Sequence, residues 1–265
     1  MKILSLGLDK SAAKINSTLA RRLLDLSQLV EKYWVIVPAE KDEVLAINEK
    51  VKVFLVGGRQ KVSKFFRIWQ RAKEILSLES FDVLTTQDIY FLAGLGLFLA
   101  KRFNLGLEIQ VHGFEKYYGL RKYLAQYVLP KADAIRCVSQ RLKKELMDKF
   151  HIAEEKITVA SIYTDGQKFS SLKRQKPPKS AGDEFIFLTV GRLVPVKNIG
   201  LQIEAISEVV KKYSEIELWV VGSGPEEEKI KTKIEKLGLG DKVKLLGQKS
   251  PEDLEKIYVE ADAFL

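Results

Sequence analysis

The sequence predicts an α/β protein with two domains, each built on a parallel sheet with helices on both faces. Short apolar runs typical of buried strands alternate with amphipathic runs of helical periodicity along the 265 residues. A polar stretch at residues 170–184, with two prolines and several cations, separates two such series. We therefore expect a first domain at residues 1–169, a linker at 170–184 and a second domain at 185–265.

The first domain is expected to begin with a strand and to alternate strands with helices. Apolar runs bounded by turn residues predict strands at residues 2–8, 33–37, 51–56, 81–85, 107–111, 132–138 and 157–162. Helical spacing of apolar residues predicts helices at residues 11–30, 59–79, 89–103 and 140–150. Ser139 precedes the last of these helices and is expected to be its N-cap.

The second domain repeats the same alternation. Strands are predicted at residues 185–190, 217–221 and 243–246, and the opening of another at 261–265. Helices are predicted between them at residues 199–213, 226–237 and 251–260. This order predicts a second parallel sheet.

Composition restricts the class of protein. With 46% hydrophobic residues the chain can bury a full core. One cysteine, Cys137, rules out an intrachain disulfide and fits a reducing compartment. The longest apolar run, residues 89–100, is too short to span a bilayer, and the first residues show no signal-peptide pattern.

The net charge of +9 is unevenly distributed. Residues 1–180 carry 32 Lys and Arg against 19 Asp and Glu, whereas residues 181–265 carry 12 against 16. A basic first part beside a mildly acidic second part favours contact with an anionic surface such as phospholipid headgroups. Nucleic acid is not expected as a partner, because the sequence contains no motif that binds it.

The stretch from Gly191 to Asn198 is the strongest candidate for a ligand site. It follows one predicted strand and precedes a predicted helix, so a glycine turn leads from the strand into the helix. A helix start carries free N–H groups and partial positive charge, and Arg192 and Lys197 add two full charges beside it. Such a turn suits a phosphate or diphosphate, and a loop with two solvated cations is the alternative.

Other candidates lie where predicted strands end, because open α/β sheets bind ligands at the carboxyl ends of their strands. Gly7, His112 and Gly247 each follow a predicted strand. His112 is either a substrate contact or a hydrogen-bonded structural group. The turn with Gly222 and Gly224 either lets backbone approach a nucleotide or is a tight entry into a helix. No spacing typical of a zinc site or a phosphate loop occurs, so no metal is expected.

The helix predicted at residues 59–79 has an apolar and a basic face. The apolar face contains Val62, Phe65, Phe66, Trp69, Ala72 and Leu76, and the basic face contains Lys61, Lys64, Arg67 and Arg71. The helix either packs its apolar face on the sheet or lies at a membrane interface with its cations near headgroups. The aromatic and basic stretch around Arg121 and Lys122 is a further candidate for a membrane or acceptor surface.

Four pieces of the second domain, in order and at ordinary spacing, resemble one family. They are Gly191-Arg192-Leu193 with Lys197, the turn at residues 220–226, Leu245-Leu246-Gly247, and the helix and strand at residues 253–265. This pattern resembles GT-B glycosyltransferases, specifically glycosyltransferase family 4 (group 1). The resemblance implies two Rossmann-like domains that face each other. It also implies transfer of a sugar, with retention at the anomeric carbon, from a UDP- or GDP-sugar to a lipid-linked or polysaccharide acceptor.

The resemblance also implies roles for the candidate residues. Arg192 and Lys197 would stabilise the charge on the leaving diphosphate, and His112 would steady the donor sugar. The donor nucleotide-sugar would be held by Gly7, Gly191, Arg192, Lys197, Gly222, Gly224 and Gly247. No metal or other cofactor is implied. The expected location is the cytoplasm or the cytoplasmic face of a membrane.

Departures from the family pattern limit these expectations. The first glycine turn has one glycine, Gly7, where the family often has two, and residues 162–169 lack the family's usual Asn-Gly. The family's paired glutamates are also missing, so the second domain is expected to be incomplete and turnover weak or absent. Two alternatives remain: a non-catalytic fragment that binds lipid, glycan or a partner, and a sugar-nucleotide epimerase of the same fold.

Overall fold

The computed structural model describes residues 1–13, 17–114, 117–161 and 184–265. The chain divides into two compact units, Met1–Tyr163 and Thr164–Leu265, each with its own sheet and core. Residues 170–183 of the predicted linker lie outside the described residues, and so does the 162–169 segment that departs from the family pattern.

The first unit is built on an eight-stranded sheet. Its strands are β1 (Lys2–Leu6), β2 (Lys32–Pro38), β3 (Glu43–Ala46), β4 (Val51–Val56), β5 (Val83–Thr86), β6 (Gly106–Val111), β7 (Ala134–Cys137) and β8 (Ile157–Val159). They follow the order β3-β4-β2-β1-β5-β6-β7-β8, and all neighbours are parallel except β3 and β4. The parallel arrangement puts the carboxyl ends of β1, β5, β6 and β7 at one edge, where ligands of such sheets bind.

Helices cover both faces of this sheet. They are α1 (Thr18–Ser27), α2 (Lys61–Leu78), α3 (Phe91–Phe103), α4 (Leu120–Val128) and α5 (Gln140–Phe150). The larger core cluster includes Ala72 of α2 and Leu99 of α3, packed against the centre of the sheet. On the other face, Leu23 of α1 belongs to a separate cluster with Val35 and Val53. Apolar side chains on both faces are typical of a parallel sheet buried between helices.

The second unit contains a four-stranded parallel sheet in the order β11-β10-β9-β12. Its strands are β9 (Phe185–Val190), β10 (Ile216–Val221), β11 (Val243–Gly247) and β12 (Ala263–Phe264), and its helices are α6 (Ile199–Val209), α7 (Glu227–Lys236) and α8 (Pro251–Glu260). Ile203 of α6 and Ile230 of α7 are buried against Leu218 of β10. The predicted fold class, two Rossmann-like α/β units, is confirmed.

The structure differs most from the prediction at three elements. Strand β3 is absent from the prediction, because its residues are mostly exposed and show no apolar alternation. The helix predicted at residues 11–30 is wrong at both ends: a 3₁₀ turn at Lys10–Ala13 precedes α1. Helix α1 begins where Ser17 accepts a hydrogen bond from the amide of Ala20 at 3.0 Å. Helix α4 lies inside the aromatic and basic stretch, to which no element was assigned.

Candidate functional site

Two turns at the carboxyl edge of the second sheet are joined by backbone hydrogen bonds. The amide of Gly191, after β9, donates to the carbonyl of Val221 at 2.9 Å. The amide of Leu193 donates to the carbonyl of Ser223 at 3.0 Å, and the amide of Glu226 donates to the carbonyl of Leu193 at 3.1 Å. The structure therefore brings together the two glycine turns that are candidate ligand sites in the sequence.

Two glycines in these turns are required by the approach of backbone to backbone. Gly222 has a φ of +139°, and a Cβ at this position would lie 1.8 Å from the carbonyl oxygen of Gly191. A Cβ on Gly224 would lie 2.4 Å from the carbonyl oxygen of Leu193. Contact between the turns thus accounts for the Gly-x-Gly pattern without a ligand. The donor contact expected of these glycines stays a prediction.

Gly247 joins the same edge from β11. Its φ of +68° lies in the left-handed region, which favours glycine. A Cβ there would meet nothing within 4 Å, so conformation rather than space accounts for this glycine. The carbonyl of Gly247 accepts a hydrogen bond from the amide of Gly222 at 2.9 Å. The ends of three adjacent strands thus form one continuous backbone surface.

Arg192 and Lys197 carry unneutralised charges beside this surface. Both side chains are exposed, and neither forms an ion pair with a residue that the structure describes. The aliphatic chain of Lys197 lies over Gly191, because a Cβ on that glycine would be 3.5 Å from Lys197 Cε. Several other lysines of this unit pair with carboxylates, as Lys244 does with Glu217 at 2.6 Å.

The path from β9 into α6 places Lys197 at the start of the helix. Residues Pro195–Lys197 form a 3₁₀ turn, and Asn198, with a φ of 47°, redirects the chain into α6. A helix of 11 residues presents free N–H groups and partial positive charge at its start. With two cations nearby, the arrangement can bind a phosphate or diphosphate group.

In the first unit, Gly7 and Gln87 follow the adjacent strands β1 and β5. The amide of Gly7 donates to the carbonyl of Ile36 at 2.9 Å, and a Cβ on Gly7 would lie 3.0 Å from Gln87 Oε1. The sheet and Gln87 therefore account for this glycine. A donor phosphate could use the Gly7 amide only if the bond to Ile36 opened, and the predicted role of Gly7 stays a prediction.

His112 follows β6 and lines a groove of about 450 Å³ with Gln110 and Arg136. Desolvation lowers the pKa of His112 below its ordinary value, and the positive charge of Arg136 lowers it further. The imidazole is therefore neutral at pH 7, and it can both donate and accept a hydrogen bond. Sequence reasoning missed Arg136, because only the sheet register, in which Arg136 is opposite Gln110, brings it near.

The cations of α2 that were predicted as a membrane or acceptor surface are partly neutralised. Arg67 forms an ion pair with Asp42, and Arg71 pairs with Glu74 at 3.0 Å. Lys64 is half-buried and lies near Gly58, so that a Cβ on that glycine would be 2.8 Å from Lys64 Cγ. The side chain of Lys61 lies outside the described residues.

The cations of α4 lie among aromatic rings. The guanidinium of Arg121 is 5.9 Å from the ring centre of Tyr90 and 5.7 Å from that of Phe91, within the range of a cation–π contact. Lys122 is exposed. Arg121 thus connects the start of α4 to the start of α3.

The apolar face predicted for α2 is divided into a buried part and an exposed part, so packing on the sheet accounts for some of its residues only. Ala72 and Ile68 are buried in the core. In contrast, Val62 is 66% and Phe66 52% exposed. The reason is the helical period, which places residues 62, 66 and 69 on a stripe beside the buried one.

The described residues offer anion-binding groups rather than metal ligands at these edges. In the ranges that the structure covers, no group of three or more His, Cys, Asp or Glu side chains could hold a metal ion. In the same ranges no helix is both long and apolar enough to cross a bilayer. At the second sheet, the described groups that suit a phosphate are the two cations and the free N–H groups at the start of α6, because the turn amides reported above already donate to carbonyls.

The fold defines a class of protein, the GT-B glycosyltransferases and proteins of the same architecture. It is similar to Anabaena Alr3699/HepE, solved in complex with UDP and glucose, with a TM-score of 0.67 and 17% identity over 100% of this chain and 73% of that chain. It is also similar to the UDP-GlcNAc 2-epimerase of Methanocaldococcus jannaschii, with a TM-score of 0.58 and 15% identity over 100% of this chain and 78% of that chain. At these identities the likeness concerns the fold alone.

The chain belongs to glycosyltransferase family 4. The model described as Glycosyltransferase Family 4 matches residues 19–161, more than half of the chain, and the model described as Glycosyl transferases group 1 matches residues 171–265. Alpha-monoglucosyldiacylglycerol synthase of Streptococcus pneumoniae is 26% identical over 219 residues, which cover 76% of this chain and 49% of that protein. The chain thus spans about half the length of this relative.

Proposed function

We propose that this chain acts in sugar transfer from a UDP- or GDP-sugar, and that the turns after β9 and β10 hold the donor diphosphate. The observation that carries the proposal is the pair of unneutralised cations, Arg192 and Lys197, beside the start of α6. In the transition state, negative charge builds on the leaving diphosphate, and cations already in position stabilise it without reorganisation. Membership of glycosyltransferase family 4 supports this reaction class.

For the donor sugar, we propose transfer with retention at the anomeric carbon and a contact from His112. A neutral imidazole can hydrogen-bond a sugar hydroxyl and steady the ring as it becomes oxocarbenium-like. The low pKa of His112 supports this role, because an imidazolium would repel the developing positive charge. No carboxylate nucleophile and no metal are part of the proposal.

For the acceptor, we propose a lipid-linked or polysaccharide precursor at the cytoplasmic face of a membrane. The curated relative named above is a synthase of a glucosyl diacylglycerol, which supports a lipid acceptor. The basic residues of α2 and α4, including Lys64, Arg67, Arg71, Arg121 and Lys122, would meet anionic headgroups.

Calorimetric titration with UDP and GDP tests the donor site. Binding is measured rather than turnover, because the chain covers about half of its relative and turnover also depends on the other half. Each of Arg192→Ala and Lys197→Ala is expected to weaken diphosphate binding roughly tenfold to a hundredfold, the cost of one charge-assisted hydrogen bond.

Lys211→Ala is the matched control for these two variants. Lys211 lies just beyond the far end of α6 and pairs with Glu208 at 2.7 Å, so its loss removes one positive charge away from the turn. Equal affinity in the control and wild type is expected. Equal affinity in all four proteins would sink the assignment of Arg192 and Lys197.

A sugar-nucleotide epimerase is the second candidate, favoured by the likeness in fold to the UDP-GlcNAc 2-epimerase. An epimerase converts its sugar nucleotide without an acceptor, so proton NMR of UDP-GlcNAc with the protein alone separates the two reactions. New anomeric signals with the UDP group retained would favour epimerisation. Binding of neither UDP nor GDP would leave a lipid-, glycan- or partner-binding role.

A further inference from the structure

An apolar groove of about 500 Å³ opens between α2, α3 and α4 of the first unit. Its lining includes Phe66, Trp69, Phe91, Phe98, Leu124 and Tyr127, and every lining residue is apolar or aromatic. Phe66 is 52%, Phe98 55% and Tyr127 58% exposed. Aromatic surface left in water in one contiguous patch marks an interaction site in a folded protein.

A glycine of α3 keeps the groove open. A Cβ on Gly94, which lines the groove, would meet nothing within 4 Å. Gly96, two residues on, is different, because a Cβ there would lie 2.6 Å from Thr86 Cγ2. Packing explains Gly96, but no described contact explains Gly94, although glycine inside a helix is less favourable than alanine. An occupant of the groove would explain it.

The charge around the groove indicates the chemistry of that occupant. Helices α2, α3 and α4 together carry nine Lys and Arg and one acidic residue, Glu74; within the described residues, two of the nine cations are ion-paired, Arg67 with Asp42 and Arg71 with Glu74. Arg121 lies over the ring of Phe91 at one wall. The ammonium of Lys131 lies 3.8 Å from the ring centre of Tyr127 at another. Apolar rings flanked by cations complement a hydrocarbon chain that ends in an anionic headgroup.

We propose that this groove binds one hydrocarbon chain of a lipid in an anionic bilayer, while the surrounding cations hold the headgroups. A second copy of this chain is disfavoured as occupant, because it would bring two strongly basic surfaces together. The inference deepens the lipid-acceptor part of the proposed function, but chain binding in the groove does not require the donor site.

Trp69 makes the groove directly observable. In vesicles of phosphatidylglycerol and phosphatidylcholine, lipids brominated on the acyl chain quench an indole only at close approach. The fluorescence of the wild type minus that of Trp69→Phe isolates this residue from Trp34 and Trp219. Strong quenching of the difference signal is expected, and protein that binds the vesicles without such quenching is adsorbed by charge alone, which overturns the proposal.

Gly94→Leu fills the groove and provides the decisive variant. Leucine is a better helix former than glycine, and a Cβ at this position meets no atom within 4 Å, so folding is expected to be kept. In Gly94→Leu we expect the loss of contact with about two methylene groups of the lipid chain, which weakens vesicle binding roughly tenfold. The quenching by brominated acyl chains is expected to be lost as well. Gly94→Ala, which narrows the groove by one methyl group, should weaken binding less than Gly94→Leu does, and Gly240→Leu, which adds the same leucine side chain in the second unit, should behave as wild type.

Three other results would count against the groove. Gly94→Leu with unchanged quenching removes the groove from lipid binding. Concentration-dependent dimers in sedimentation that this variant abolishes would assign the groove to a second copy instead. Capture of an acidic amphipathic peptide in preference to vesicles would assign it to a protein partner. UDP titration of the same proteins tests the donor site separately. If a protein does not bind UDP but is still quenched by the brominated lipid, the donor site is contradicted and the lipid groove is not.

Discussion

Gly222→Ala tests whether contact between the two glycine turns holds the edge of the second sheet together. The added Cβ would lie 1.8 Å from the carbonyl oxygen of Gly191 and 2.9 Å from its carbonyl carbon, so the backbone must move. A φ of +139° is also unfavourable for any residue with a Cβ. The variant is therefore expected to be destabilised rather than merely altered at a surface turn.

The magnitude follows from what must separate. Overpacking and the unfavourable backbone conformation cost about 1–3 kcal/mol. Moving the turns apart breaks the bonds from Leu193 to Ser223 and from Glu226 to Leu193, at about 1 kcal/mol each. The free energy of unfolding of the second unit should thus fall by about 3–5 kcal/mol.

Urea denaturation followed by tryptophan fluorescence measures this loss, because Trp219 lies on β10 next to the turn and reports on the second unit, whereas Trp34 and Trp69 report on the first. Gly240→Ala is the control, since a Cβ there meets nothing within 4 Å and glycine-to-alanine changes at such sites stabilise by at most about 1 kcal/mol. If Gly222→Ala proves too unstable to purify, Gly224→Ala, with a closest contact of 2.4 Å, replaces it. An unfolding free energy within about 0.5 kcal/mol of wild type would refute the reasoning.

Two further predictions concern charged groups. Lys244→Met should destabilise the second unit by about 1–2 kcal/mol in urea titration, because it removes the ammonium 2.6 Å from the buried carboxylate of Glu217. Burial raises the pKa of Glu217, but the hydrogen bonds from Lys244 and Trp219 outweigh burial and hold this pKa below its ordinary value. The stability difference between wild type and Lys244→Met should therefore shrink as the pH falls below the ordinary pKa of a glutamate. A stability difference that stays constant with pH would contradict this account. An NMR titration should give His112 a pKa below its ordinary 6.5, and Arg136→Gln should raise it. Because protonation of His112 is disfavoured in the folded state, the contribution of neutral His112 to stability is present at neutral pH and is lost as the pH falls below the ordinary pKa of histidine. If the pKa of His112 is the same in Arg136→Gln as in the wild type, Arg136 is excluded as a cause of the shift.

The sequence predicted elements best where local chemistry decides their ends. Helix α5 begins and ends as predicted, because Ser139 caps it by accepting a hydrogen bond from the amide of Leu142 at 3.2 Å. Helix α1 was misplaced because Ser17, rather than an earlier residue, is its cap. Strand β3 could not be predicted, since only pairing with β4 makes its exposed residues a strand.

The candidate sites divide in the same way. The turn with Arg192 and Lys197 could be predicted, because its glycine, its cations and the helix start are neighbours in sequence. The approach of Arg136 to His112 could not, because it depends on the register of β6 and β7. The aromatic groove could not either, because its walls come from three helices and its exposed rings look like a core face in the sequence.

Three glycines show that the structure changes how strongly a glycine in the sequence indicates a ligand site. Gly222 is part of a pattern associated with nucleotide sites, yet the backbone of Gly191 already excludes a side chain there. Its presence therefore adds little to the argument for a donor, which depends on the unpaired cations instead. Gly96 is likewise explained by Thr86. Gly94 belongs to no motif and, like Gly240, meets no steric limit. Unlike Gly240, it lies inside a helix, where glycine is unfavourable, and it lines the groove, so it carries more functional information than Gly222.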